Sequence, residues 1–160
     1  MKISLKSIKS LNYIYETGFD PYDYTPEEIV EKIGLQLGNV ESVEDRRGWY
    51  QDAVAVKVIE CVKHPNADKL SLCKIDDGGA NQNVQRDESG LVQVVCGAPN
   101  VSQGMFTVWL PPQSIVPSSR TDEQPFELDA RELRGVMSYG MLASPTELAL
   151  SDEHVGIIVL

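Results

Sequence analysis

The sequence predicts a mainly β fold, a small five-stranded barrel preceded by a short helical (α+β) segment. Three observations lead there. Apolar residues recur at spacings of three and four up to about Trp49, and at spacings of two from Ala53 onward. Five strand-like runs, rich in β-branched residues, then follow within about 90 residues. Two of those runs slip phase in a way that a flat sheet cannot bury and a curled one can. The expected organisation is an N-terminal helical hairpin segment over residues 1–50 and the barrel over 51–160.

In the first segment Leu5, Ile8, Leu11 and Tyr15 mark the apolar stripe of an amphipathic helix, and Gly18 is placed to end it. Residues 19–24, with Pro21 and three aromatics, read as irregular. Thr25-Pro26-Glu27-Glu28 then supplies a side-chain N-cap, a proline at the first helical position and a capping-box glutamate. The second helix is expected to reach about Leu37, with Ile29, Ile33 and either Val30 or Leu37 on its apolar face and Gly38 as a left-handed cap. Residues 40–43 are expected to lead out as a strand, and Asp45-Arg46-Arg47-Gly48 has the turn chemistry of a boundary.

The barrel strands are expected at 53–62, 70–75, 91–96, 105–110 and 137–142. Val54, Val56 and Val58 share one face, whereas Ile59 and Cys61 lie on the other; Leu70 and Leu72 likewise give way to Cys73 and Ile75. A bulge or sharp coil near Val58 and Leu72 would turn both sets into one interior, and strongly coiled strands are what small closed barrels need. Residues 76–90 and 111–125, rich in Gly, Asn, Gln, Ser and Pro, read as long surface loops.

Composition narrows the function. Hydrophobic residues make up 42% and charged residues 24% of the 160, which speaks against disorder or a fibrous class. No apolar run approaches the roughly 18 residues of a membrane span, and Met1-Lys2-Ile3-Ser4-Leu5-Lys6 leads into no uncharged signal core, so a cytoplasmic chain with no membrane partner is expected. Cys61, Cys73 and Cys96 make a poor disulfide framework and read as buried, reduced thiols. The net charge of -10 excludes a broadly basic surface, because phosphate affinity comes mainly from Lys and Arg displacing counterions. Any nucleic-acid surface must therefore be a local patch, for which Lys57, Lys63, Lys69 and Lys74 are the candidates.

No catalytic or metal-binding set converges in the sequence. Gly135-Val136-Met137-Ser138-Tyr139-Gly140 has one residue too many for a nucleophile elbow, and Cys61-Val62-Lys63-His64 is a two-ligand spacing without a second half. A phosphate-cradling glycine loop with its lysine is also missing. Ser144-Pro145-Thr146-Glu147 reads as a capping box starting a final helical turn.

Three segments in order carry a family resemblance: His64-Pro65-Asn66-Ala67-Asp68-Lys69-Leu70, Val94-Val95-Cys96-Gly97-Ala98-Pro99-Asn100-Val101, and Leu133-Arg134-Gly135-Val136-Met137-Ser138-Tyr139-Gly140-Met141-Leu142. Together they resemble the tRNA-binding domain shared by several translation proteins, and Glu147-Leu148 with Val155-Gly156-Ile157-Ile158 resembles that family's final stretch. Among its members, a start of the form Met1-Lys2-Ile3-Ser4, a helical hairpin and then the barrel is similar to the N-terminal region of the β chain of bacterial phenylalanyl-tRNA synthetase. That β chain is normally several times longer, so the stop at Leu160 is expected to truncate it.

The resemblance implies a five-stranded oligonucleotide-binding (OB) barrel with tRNA, not DNA, as its partner. It also implies a parent complex of two α and two β chains in which the α chain catalyses aminoacylation with ATP and magnesium; this portion would hold no cofactor and no catalytic residue. Loops after the first strand and before the last are where such barrels grip oligonucleotides, which makes His64 and Lys69 candidates for RNA contact, and the resemblance implies that Asn100 lies on the binding face as well. Arg134, Ser138 and Met141 complete the expected set: a guanidinium for phosphate, a hydroxyl for sugar or base, and a thioether beside an unstacked base. Structural alternatives stand beside each: a well-formed turn at His64 to Asp68, a chain reversal at Gly97 to Asn100, an ion pair of Arg134 with Glu132 or Asp129, and Met141 as core. The sequence departs from the family at Ser7, usually tryptophan, at Glu132, usually lysine, and at Ala143, often cysteine; residues 12–24 and the loop after Asp77 are enlarged. Glu132 and the acidic balance motivate the alternative of a barrel that docks protein or acts as a spacer.

Overall fold

The computed structural model describes residues 4–152 and 155–160, so the Met1-Lys2-Ile3 start lies outside the described residues. Residues 1–45 and 46–160 form two compact units.

The first unit holds two helices, α1 (Leu5–Tyr15) and α2 (Pro26–Gln36), joined through a short 3-10 turn at Pro21–Asp23. The capping box forms as the sequence predicts: Glu28 N–H donates to Thr25 Oγ1 at 3.3 Å, and Thr25 N–H donates to Glu28 Oε2 at 2.8 Å. Helix α1 ends at Tyr15 with Glu16 as its left-handed cap, two residues before the expected Gly18. Of the apolar stripes only Ile29 is buried; Leu5, Ile8 and Ile33 are half-buried, and Leu11 and Tyr15 are exposed. The strand expected at 40–43 does not form: that run pairs with no other strand and stays irregular.

The second unit is the β domain, built from β1 (Val54–His64), β2 (Ala67–Asp76), β3 (Val92–Cys96), β4 (Phe106–Leu110), β5 (Ala130–Leu133), β6 (Val136–Tyr139) and β7 (Met141–Leu142). Five of them make one antiparallel sheet in the order β3-β2-β1-β4-β7, while β5 and β6 form a separate hairpin. The sheet edges β3 and β7 approach one another, and β6 lies along β3. Two side chains bridge that seam where no ladder forms: Ser138 Oγ accepts the Val95 amide at 3.0 Å, and Gln93 Nε2 donates to the Met137 carbonyl at 2.8 Å. The curled sheet surrounds a core of Val56, Val58, Cys73, Ile75, Val92, Val94 and Trp109, as the OB-type barrel requires.

The expected bulge near Val58 is present, as a register shift between Val58 and Glu60. Its expected counterpart at Leu72 is absent: Leu72 stays in continuous register with Val95, and the second slip falls at Lys63/His64, beside the turn. The run expected as one strand at 137–142 is broken by Gly140, whose φ of +79° separates β6 from β7. A side chain there would strike the Leu110 carbonyl oxygen, so the glycine serves both the backbone and the close approach. Strand β5 was not expected from the sequence: Ala130-Arg131-Glu132-Leu133 has little β-branched character and is held by its pairing with β6.

The loop after β4 also differs from expectation. Residues 121–127 are exposed, but the rest does not run over the surface: Ser114, Val116, Pro117, Ser119 and Leu128 are buried, and Val116 and Leu128 join Leu110, Ala143 and Leu148 in a second apolar cluster. Ser144 and Glu147 close the predicted capping box, with Glu147 N–H to Ser144 Oγ at 3.2 Å and Ser144 N–H to Glu147 Oε2 at 2.6 Å, but they open a hydrogen-bonded turn, not a helix.

Candidate nucleic-acid interface

The β1–β2 turn is only two residues long. Pro65 sets the first central φ, and His64 pairs with Ala67 across it. The β5–β6 turn is equally short: Arg134 and Gly135 both have positive φ, +53° and +85°, the signature of a tight hairpin whose twist matches its strands. Glycine accepts such a backbone readily and arginine pays some strain for it.

These two turns are fastened to each other. His64 Nε2 lies 3.1 Å from the Leu133 carbonyl, and its Nδ1 accepts the Asn66 amide at 3.1 Å, so the ring is in the tautomer with hydrogen on Nε2. Asn66 Nδ2 donates to the Arg134 carbonyl at 2.9 Å. The clasp joins segments about 70 residues apart in the chain, between His64 and Leu133, and it rigidifies the base from which Lys63, Lys69, Arg131 and Arg134 project. All four of those side chains are exposed, and none has an ion-pair partner among the described residues. Arg134 thus forms no pair with Glu132 or Asp129. Across the two fastened segments four cations stand against two carboxylates, Asp68 and Glu132, in a chain whose net charge is -10.

The expected contact residues divide into two groups. Lys69 and Arg134 are on this surface. His64 is buried, 5% exposed, and both ring nitrogens are engaged in the clasp. Ser138 is 2% exposed; its hydroxyl accepts from Val95 and donates to the Gly140 carbonyl at 3.0 Å, so it is a seam residue, not a surface hydroxyl. Asn100 is tied to the final stretch: Nδ2 donates to the Ile157 carbonyl at 2.8 Å and Oδ1 accepts the Ile157 amide at 2.9 Å. Met141 is half-buried against the second apolar cluster. Gly97 does not have positive φ, and a Cβ there would lie 3.4 Å from the end of the Leu70 side chain.

Of the four lysines proposed as a patch, Lys74 pairs with Asp87 at 2.7 Å and Lys57 lies 5.6 Å from the Phe106 ring centroid. Lys63 and Lys69 remain, joined by Arg131. Arg131 escaped the sequence reading because its strand did, and Asn66 because its partner is so remote in the chain.

The enlarged loop after Asp77 is internally organised. The Arg86 guanidinium holds Asp77 through both nitrogens, at 2.7 and 2.9 Å, and this hydrogen-bonded pairing lowers the Asp77 carboxyl to about 2. A groove of about 410 Å³ beside the loop is lined in part by Lys74, Arg86, Gln93 and Tyr139. Their polar ends already meet Asp87, Asp77, the Met137 carbonyl and Gln85 respectively, so the groove offers few open donors.

Residues 54–160 match the family described as "Putative tRNA binding domain". The chain belongs to this tRNA-binding-domain family. It is also 40% identical over 134 residues to the phenylalanine–tRNA ligase beta subunit of Rhodopseudomonas palustris, covering 84% of this chain and 15% of that protein. Similarity to the beta subunit of Gloeobacter violaceus is 36% over 148 residues, covering 92% of this chain and 17% of the relative. The Brucella abortus beta subunit is 42% identical over 141 residues, covering 86% and 15%. The chain therefore spans about one sixth of the length of these relatives. The matched family segment contains the clasp, the seam and the four exposed cations, so the surface described above lies wholly inside the recognised domain.

Proposed function

We propose that this chain is an accessory tRNA-binding module of a phenylalanine–tRNA ligase β subunit, making weak contact with the tRNA backbone through the rim formed by the β1–β2 and β5–β6 turns. The observation that carries this reading is the local excess of unpaired cations, Lys63, Lys69, Arg131 and Arg134, on two turns that the His64 and Asn66 hydrogen bonds hold together. Phosphate contact by such groups is electrostatic and largely independent of sequence. Identity and chemistry belong to other parts of the parent: an α chain that attaches phenylalanine, in an α2β2 assembly, with ATP and magnesium bound there. Among the described residues no group of three or more His, Cys, Asp or Glu is placed to hold a metal ion. No helix among the described residues is long and apolar enough to cross a membrane.

Titration of the 160-residue chain with tRNA tests the reading. Affinity is expected to fall as salt rises, and Arg134→Ala is expected to reduce the slope of log K against log salt by about 1. Absence of binding even at about 50 mM salt would remove RNA contact from this chain. The acidic balance of the molecule favours a second reading, a barrel that docks protein or spaces domains. Crosslinks from Lys69 in the full ligase that reach protein and never tRNA would establish it.

A further inference from the structure

The barrel core contains a pair of thiols that the RNA-binding reading does not use. Cys61 on β1 and Cys73 on β2 are direct cross-strand partners, and their sulfurs stand 3.9 Å apart, unbonded. Directly opposed residues of an antiparallel pair have Cα separations of about 4.5 to 5.5 Å, inside the range a disulfide spans. Joining the sulfurs, at a bond length of about 2.05 Å, calls for side-chain rotation without a change of strand register. Cys96 is not so placed: its partner on β2 is Ser71, and Cys73 faces Val94.

We propose that Cys61 and Cys73 form an oxidisable dithiol, a modification site at which peroxide-type oxidants link β1 to β2. The two thiols are unequal in a way that orders the reaction. Cys61 is partly buried and retains some solvent access, through which it can meet the oxidant; Cys73 is completely buried, and burial, followed by its neighbour Cys61, pushes its thiol well up, so it stays protonated. The Cys61 sulfur attacks one peroxide oxygen, and its thiol proton goes to the departing oxygen. The O–O bond breaks, one oxygen leaves as water and Cys61 becomes a sulfenic acid. Cys73 sulfur then attacks the Cys61 sulfur, the S–O bond breaks, and the hydroxyl leaves as a second water with the Cys73 proton. Two thiols lose two electrons and one peroxide gains them.

The covalent loop so closed contains the whole β1–β2 turn, with Lys63, His64, Asn66 and Lys69. Oxidation would thus tether the base of the turn that presents the cationic rim, independently of whether that rim binds RNA.

The test is disulfide mapping of the 160-residue chain after hydrogen peroxide, followed by alkylation under denaturing conditions and peptide mass analysis. The expected product is a Cys61–Cys73 linked peptide that dithiothreitol cleaves, with Cys96 alkylated throughout. The folded Cys61→Ser variant should yield no disulfide and leave Cys73 a thiol. Three alkylatable cysteines after peroxide, a disulfide that includes Cys96, or Cys61 advancing to sulfinic acid while Cys73 stays free would each overturn the proposal. If Cys61→Ser does not fold, Cys61→Ala with the same mapping decides between these outcomes.

Discussion

The helical unit and the β domain of this chain hold themselves together by different means. In residues 4–45 the defined interactions are short-range: the Thr25–Glu28 capping box, Asp20 capping its own turn through the Tyr22 amide, and Asn12 accepting from the Thr17 hydroxyl and the Phe19 amide. Pro21 and Ile29 are the buried residues there among those described, while Tyr13, Ile14, Tyr15, Leu35 and Leu37 stay more than 60% exposed. The β domain is the reverse, with two apolar clusters and polar side chains that reach across the fold: Ser138 to Val95, Asn100 to Ile157, His64 to Leu133. Local chemistry can specify where a helix begins, but tertiary burial is what gives an element most of its stability.

The comparison is broken most forcefully at Trp109. Its side chain is fully buried and its Nε1 donates to the Tyr139 carbonyl at 2.8 Å, so Trp109→Ala removes core volume and orphans a carbonyl in one step. A loss of about 3–5 kcal/mol is expected in the denaturant unfolding of the β domain. A loss below about 1 kcal/mol would mean that the core is not the main source of its stability.

Acid titration probes an intermediate case, a loop held by two ion pairs, Arg86 with Asp77 and Lys74 with Asp87. The Asp77 carboxyl is lowered from 3.8 to about 2, chiefly by its hydrogen bonds from Arg86. A folded value below the unfolded one stabilises the fold above about pH 4 and loses that contribution as pH falls toward about 2. Stability worth about 2 kcal/mol is expected to disappear over that window, and Asp77→Asn should flatten that part of the pH profile.

The smallest effect belongs to the cap. Thr25→Ala is expected to cost about 1 kcal/mol, read as faster amide exchange within α2. Unchanged exchange there would show that the helix does not depend on its local signals and would remove the contrast between the two units.

The balance of local and long-range chemistry also explains which expectations held. Both helices, the capping box, the bulge at Val58 and four of the strands were readable, because period, caps and β-branched runs report on adjacent residues. Strand β5 and the buried course of residues 111–128 were not, because each exists only through partners elsewhere: β6 for the first, Leu110, Ala143 and Leu148 for the second. At the candidate interface the motif residues were recognisable, but the internal hydrogen bonds of several of them were not. His64, Asn100 and Ser138 carry the hydrogen-bonding groups that RNA contact needs, and the fold engages those same groups internally.

By itself, then, the sequence determined the two helices and the first four strands in order, the change from helical to strand period near Ala53, and the family to which the barrel belongs, since all of these are written in neighbouring residues and short motifs. Only the tertiary structure decided which polar side chains face solvent. A hydroxyl or an imidazole has the same chemistry in the sequence whether it meets a ligand or a distant backbone amide, and the choice depends on where closing the barrel brings Val95 and Leu133. Lys69 and Arg134 remain on the outside because a charged side chain without a buried partner is far cheaper to leave in water.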